Sequence, residues 1–283
     1  MRSCKLSNLP NFLNNILLAT SNQKCNFAEP SCLVAVEALS SSHKHISHNN
    51  IFDGNVLSYV VTTQACHTAQ KSYYPLKSFK ACRSISDSIA VSLSNAISLT
   101  QHFKSASEAE DFKKYVRYAT SEIINNVADH SSSGFGGCVA AQFYPRERKA
   151  QVAIADQGIG LMNALEKKYQ PKTEEEAIFL SIEKGITGSN ELMYGSGGYK
   201  NAGVGLFAIK KIVEETKGIL SITSNDTTVL FDGKNKPKVI KLNNSFGGVL
   251  VAIEIYDDGL SEEFEVFKKM HIWSTEEDSE EIF

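Results

Sequence analysis

The chain has 283 residues, 42% of them hydrophobic, which is enough for a substantial core and suggests two lobes, since domains of about 100 to 200 residues are the usual unit. Its 29 basic and 32 acidic residues leave a formal charge of −3, so composition supplies no broad basic surface for nucleic acid. Six cysteines (Cys4, Cys25, Cys32, Cys66, Cys82 and Cys138) are scattered without a CxxC pair, and no run approaches the roughly 18 apolar residues of a membrane span.

A zinc site, a dense disulfide framework and a membrane anchor are therefore not expected, and a reducing cytoplasm is the simplest compartment. Residues 1–100 are rich in Ser, Asn and His, with apolar islands at 12–19, 32–39 and 56–61. They read as a smaller mixed α/β lobe whose role the sequence leaves open. From residue 107 a helical period appears, with Phe112, Val116, Ala119, Ile123 and Val127 recurring every three or four residues, and Ser107 followed by Glu110 reads as a capping box. One long helix to about Asp129 is predicted.

After the glycine break at 134–137, residues 138–144 and 151–156 form two strand-like runs around a charged turn, as in an antiparallel hairpin. Helices are predicted at 160–168 and 173–184, a glycine-rich loop at 185–203, a helix at 204–217 and strands at 219–223, 228–231, 239–242 and 248–256. Residues 257–283 carry many acids and read as a solvated helix or tail.

Three spacings carry chemistry. Glu122, Asn126 and Asp129 stand at i, i+4 and i+7 of the long helix, on one stripe beside its apolar face. Taken alone, the triplet also fits an ordinary solvated face. Asp156-Gln157-Gly158-Ile159-Gly160 ends a strand, where a carboxylate can point into a pocket and small residues let a ligand approach the backbone. An ordinary turn has the same composition. Asn201-Ala202-Gly203-Val204-Gly205-Leu206 opens a helix after the glycine-rich stretch, so unpaired N–H groups and the positive helix end can face polyphosphate. Neither a P-loop nor a Rossmann fingerprint is present.

In this order the three segments resemble the ATP-site boxes of the GHKL family (gyrase, chaperone, histidine kinase, mismatch repair), over roughly residues 105–256. The resemblance implies a two-layer α/β sandwich, with a mixed, mostly antiparallel sheet, helices on one face and a mobile lid at about 185–203. It implies domains at 1–100, 101–256 and 257–283, the second binding ATP. Asp156 would accept a hydrogen bond from the adenine amino group, with Gly158 and Gly160 making room for the base. Asn126 would ligate Mg²⁺, and Asp129 would bond the base or order water. Glu122 would position or deprotonate the attacking water. Lys200, Asn201, Gly203, Val204, Gly205 and Leu206 would border the phosphates. Val249 stands where the family commonly has Thr, which removes a pocket hydroxyl.

None of His43, His45, His48, His67 or His102 has the setting of a histidine-kinase phosphoacceptor, and with about 27 residues after Tyr256 a transducer domain is not expected. The run Asn126 to Ser131 also resembles the anti-sigma-type serine kinases, and residues 26–36 resemble a strand-to-helix segment of STAS-like domains, which partner those kinases. The expectation is a stand-alone cytoplasmic ATPase or ATP-driven switch acting on a protein partner, with homodimerisation a further expectation. The alternatives are a protein Ser/His kinase and an ATP sensor without turnover.

Overall fold

The computed structural model describes residues 3–18, 24–65, 72–98, 100–130, 134–186, 204–233 and 235–257. The first part contains β1 (Ser3–Cys4), α1 (Leu9–Leu17), β2 (Phe27–Ala28), α2 (Pro30–Ser40), α3 (His48–Ile51) and α4 (Gly54–Ala65). Then come β3 (Tyr73–Phe79), α5 (Ser86–Ile97), α6 (Ala106–His130), β4 (Gly137–Tyr144) and β5 (Lys149–Asp156). The chain continues through α7 (Gly160–Tyr169), α8 (Glu174–Ser181), α9 (Gly205–Glu215), β6 (Ile219–Ser224), β7 (Thr227–Phe231), β8 (Lys238–Lys241) and β9 (Val249–Tyr256). The acidic segment 258–283 lies outside the described residues.

The chain is an α/β sandwich built on a seven-stranded sheet, β3-β4-β5-β9-β6-β7-β8, among the described residues. Every pairing in it is antiparallel. Among the described residues, parallel pairing is confined to the two-residue β1–β2 ladder and the Cys25–Phe52 bridge. The sheet reaches back before residue 101 for its edge strand β3, and α5 packs beside α6 on the same core.

Strand alternation divides the sheet into two faces. Val139, Ala141, Phe143, Val152, Ile154, Val251, Ile253, Leu220 and Ile222 meet the apolar side of α6, with Phe112, Val116, Ile123 and Val127, and Ile209 and Ile212 of α9. The opposite face of the central strands carries small side chains, Cys138, Ala140, Ala153, Ala155 and Ala252. That low surface lets α2 lie directly on β4 and β5, and α2 is buried nearly all round. The helices after residue 80 thus take one face, and the N-terminal helices cover the other.

Where α2 meets β5 the contact is polar and closed. Gln151 Nε2 donates to Glu29 Oε2 (2.8 Å) and Glu254 Oε1 (3.0 Å), and its Oε1 accepts from Ser31 N (3.0 Å). Lys149 Nζ adds a bond to Glu254 (3.1 Å), and the Leu6 N–H donates to Glu29 (2.7 Å). These groups are buried, so their mutual bonds replace lost hydration. A disulfide joins Cys4 to Cys32, with Cα atoms 6.2 Å apart, a pairing that the scattered spacing does not announce. The β1–β2 pairing sets Cys4 opposite Ala28, one helical turn before Cys32. The strand-to-helix step at 27–40 is present, with a strand of only two residues. No helix among the described residues is long and apolar enough to cross a membrane.

Candidate functional site

The long helix α6 begins at Ala106, and its capping box is Ser105 with Glu108, two residues earlier than the Ser107–Glu110 pair. Glu108 N donates to Ser105 Oγ (3.1 Å), and the Glu108 carboxylate receives Lys104 N (2.7 Å). Either pair has the right spacing; packing of Ala109 and Phe112 into the core selects the first. The same rotation of the helix leaves Glu122 and Asn126 half-buried on the stripe beside Ile123 and Val127.

Glu122 faces the start of α9. A Cβ at Gly205 would lie 2.5 Å from Glu122 Oε2, so a side chain there would have to push the carboxylate end aside. Val204 caps α9 without a side-chain hydrogen bond, while its carbonyl accepts the Ala208 N–H (2.8 Å). The positive end of an eleven-residue helix, with side-chain-free N–H groups, therefore stands against an acid. Leu206 packs on the core behind it. Burial pushes the Glu122 carboxyl above its usual range, opposed by Arg83 and reinforced by Asp129.

Asp156 ends β5 and is buried. Its Oδ1 accepts the Gly158 N–H at 2.7 Å, and the backbone of Val249 also bonds the carboxylate. Burial outweighs both bonds and raises its pKa to about 6. Val249, which lacks the hydroxyl of a threonine, thus still serves this acid through its main chain.

The loop after Asp156 is held from three sides. Gly248, at φ +114°, lies against it so closely that a Cβ would sit 2.8 Å from both Gln157 Cα and Gly158 N. Gln157 Nε2 donates to Phe246 O (3.1 Å), and Ser42, just beyond α2, donates to Gln157 Oε1 (2.8 Å). Gly160, at φ +79°, opens α7, and a Cβ there would collide with the Asn225 side chain. Behind it the buried Glu174 accepts Ser224 Oγ (2.6 Å) and Asn225 Nδ2 (2.6 Å), while Ser224 Oγ accepts Leu161 N (2.8 Å).

Chain direction brings the three segments to one end of the sheet. Asp156 pairs with Gly137, the first residue after the turn that leaves α6. Ser224 pairs with Val249, so β6 finishes beside the Asp156 loop. Since α9 packs back along β6, its first residue lies at this same end.

The stripe's third member, Asp129, is engaged by Arg83, from the 3₁₀ turn Arg83–Ile85. Arg83 Nε donates to Oδ1 (2.6 Å), and Nη2 donates to Oδ2. Arg83, Glu174, Ser224, Asn225, Gly248 and Ser42 are absent from the sequence-level site, because they stand outside its three spacings. Of these only Gly248 carries a signal in the sequence, as the second of two adjacent glycines before the last strand. Lys200, Asn201 and Gly203, with residues 187–203 of the lid expected at about 185–203, lie outside the described residues, as does Cys66.

A family model described as a histidine kinase-like ATPase domain matches residues 90–231. The match covers just over half of the 283 residues and includes all three segments. No curated protein matches the chain.

Proposed function

As this chain belongs to the histidine kinase-like ATPase domain family, we propose that it binds Mg-ATP between α6, the Asp156 loop and the start of α9, and hydrolyses the terminal phosphate. The observation that carries the reading is the close approach of Gly205 to Glu122, which sets a helix N-terminus that the Val204 side chain does not cap beside a half-buried acid. Such a pairing suits a polyphosphate end and an attacking water together.

In this reading Asp156 accepts the adenine amino group on the carboxylate, and Gly158 and Gly160 leave the base room. The N–H groups from Val204 to Leu206 receive phosphate oxygens, with Lys200, Asn201 and Gly203 assigned to the same subsite. Glu122 orients water and takes its proton as the oxygen bonds to phosphorus; ADP and phosphate leave.

Magnesium fits the donor set. Among the described residues no three or more His, Cys, Asp or Glu gather into a metal site, whereas Asn126 offers a half-buried amide on the stripe. A hard cation that keeps several waters needs only one or two such protein oxygens beside phosphate. Asn126 would hold it, and when bound it supplies neutralisation of phosphate charge.

The reading extends to a cytoplasmic switch whose nucleotide state alters contacts with a protein partner, and to a homodimer; no nucleic-acid partner is included. Transfer to a Ser or His of another chain is the second reading, favoured by the likeness of Asn126 to Ser131 to the serine kinases. An ATP sensor without turnover is the third. Calorimetry with Mg-ATP on the intact chain and Asp156→Asn, with phosphate release followed in the same samples, tests the site. Equal binding by both proteins overturns the adenine assignment, and binding without release overturns hydrolysis. Light scattering with and without ATP tests the dimer.

A further inference from the structure

The turn between β3 and α5 brings a cation onto the exposed end of the α6 stripe. Ser86 Oγ bonds the Arg83 carbonyl (2.8 Å) and fixes the turn, so the guanidinium reaches Asp129 as a two-bonded fork. Its protonated form is held by Asp129 and further favoured by Glu122, so both stripe acids act on one cation. The side chains are 47% and 20% exposed, which makes this a rim contact that water and salt weaken. Asp129 stands three residues beyond Asn126, about 4.5 Å along the helix axis.

Resting on the ATP-site reading, we propose that Arg83 is a phosphate-binding cation for the nucleotide, which Asp129 holds in reserve until ATP arrives. A guanidinium fork fits phosphate oxygens as well as carboxylate oxygens. A terminal phosphate near Glu122 and Asn126 brings negative charge beside two carboxylates, and a side-chain rotation of Arg83 moves compensating charge toward it. The exchange trades a screened surface pair for a pair with a more highly charged group. Asp129 then sets the cost of release, so it restrains ATP binding.

The test is calorimetry on the full chain, with Mg-ATP and with adenosine, comparing wild type with Arg83→Gln, Arg83→Lys and Asp129→Asn. Arg83→Gln is expected to weaken ATP about tenfold or more and leave adenosine unchanged, with Arg83→Lys recovering part of the loss. Asp129→Asn is expected to tighten ATP about threefold or more, because the competing carboxylate is gone. Unchanged ATP affinity in Arg83→Gln, with adenosine still bound, overturns the proposal and leaves the ATP site standing. Loss of adenosine in Arg83→Gln, or weaker ATP in Asp129→Asn, also overturns it. If wild type binds neither ATP nor adenosine, the ATP-site reading fails and the proposal falls with it.

Discussion

Gly205 stands so close to Glu122 that a Cβ added there would lie 2.5 Å from Glu122 Oε2 and push the carboxylate aside. The contact joins residues 83 positions apart and ties the start of α9 to the stripe on α6. Gly205→Ala is expected to displace the Glu122 carboxylate and slow phosphate release about tenfold or more, a loss typical of a misplaced reacting group. In a Glu122→Ala background the same change should have little further effect. Single-turnover kinetics on the four proteins checks this; additive losses would separate the two residues.

Asp156 titrates at about 6 in the folded chain, against 3.8 for an unperturbed aspartate. The folded state therefore binds this proton more tightly than the unfolded state. The protonated form's contribution to stability is complete below about pH 3.8 and is lost as pH rises through about 6. Above that range the buried charge opposes folding by on the order of 2 to 3 kcal/mol. Asp156→Asn should then unfold later than wild type at pH 7.5 and with it near pH 4, while losing adenosine affinity at pH 7.5. Denaturant titrations at the two pH values measure the first part. A variant less stable at pH 7.5 would show that the carboxylate's bonds outweigh its burial.

Gly248 combines a φ of +114° with backbone atoms at 2.8 Å from any added Cβ. Gly248→Ala is expected to cost about 2 to 4 kcal/mol, through strain at a conformation that L side chains rarely adopt and through displacement of the Asp156 loop. Chemical denaturation should show a lower midpoint, and adenosine should bind more weakly. A midpoint within error of wild type would mean that the loop moves aside freely.

Gln151 separates the carboxylates of Glu29 and Glu254 by donating to both. Gln151→Leu keeps the volume but takes one donor from each of two buried acids, which keep the Leu6 N–H and Lys149, and leaves the Ser31 N–H without its side-chain acceptor, so a loss of about 2 to 3 kcal/mol is expected. Because Glu254 is already pushed toward its neutral form by burial, with Lys149 opposing, the variant should recover stability as pH falls. Denaturation at pH 7.5 and 5 measures the recovery. A pH-independent loss would assign the cost to packing alone.

Much of the fold after residue 100 was legible in the sequence because its elements obey local periods. The helix α6 repeats apolar residues every three or four positions, and β4 and β5 stand out as two strand-length runs around a short charged turn. The acid and glycines at 156–160 mark a strand end whatever the rest of the chain does. The capping box shows the limit, because two serines stand three residues before a glutamate and only the burial of Ala109 and Phe112 chooses between them. The N-terminal layer was far less legible. Its helix α2 is apolar on every side, so no period tells which face meets the sheet, and β1 and β2 are two residues long.

By itself the sequence determined the order of the elements after residue 100, the stripe of Glu122, Asn126 and Asp129, and the acid that closes β5, since each depends on spacing within one helix or strand. Only the tertiary structure decided that α2 covers the small-residue face of β4 and β5. It alone set Gly205 against Glu122 and brought Arg83 to Asp129. Those contacts join positions from tens to more than a hundred residues apart, and no local period records which side chains the packed core will make neighbours.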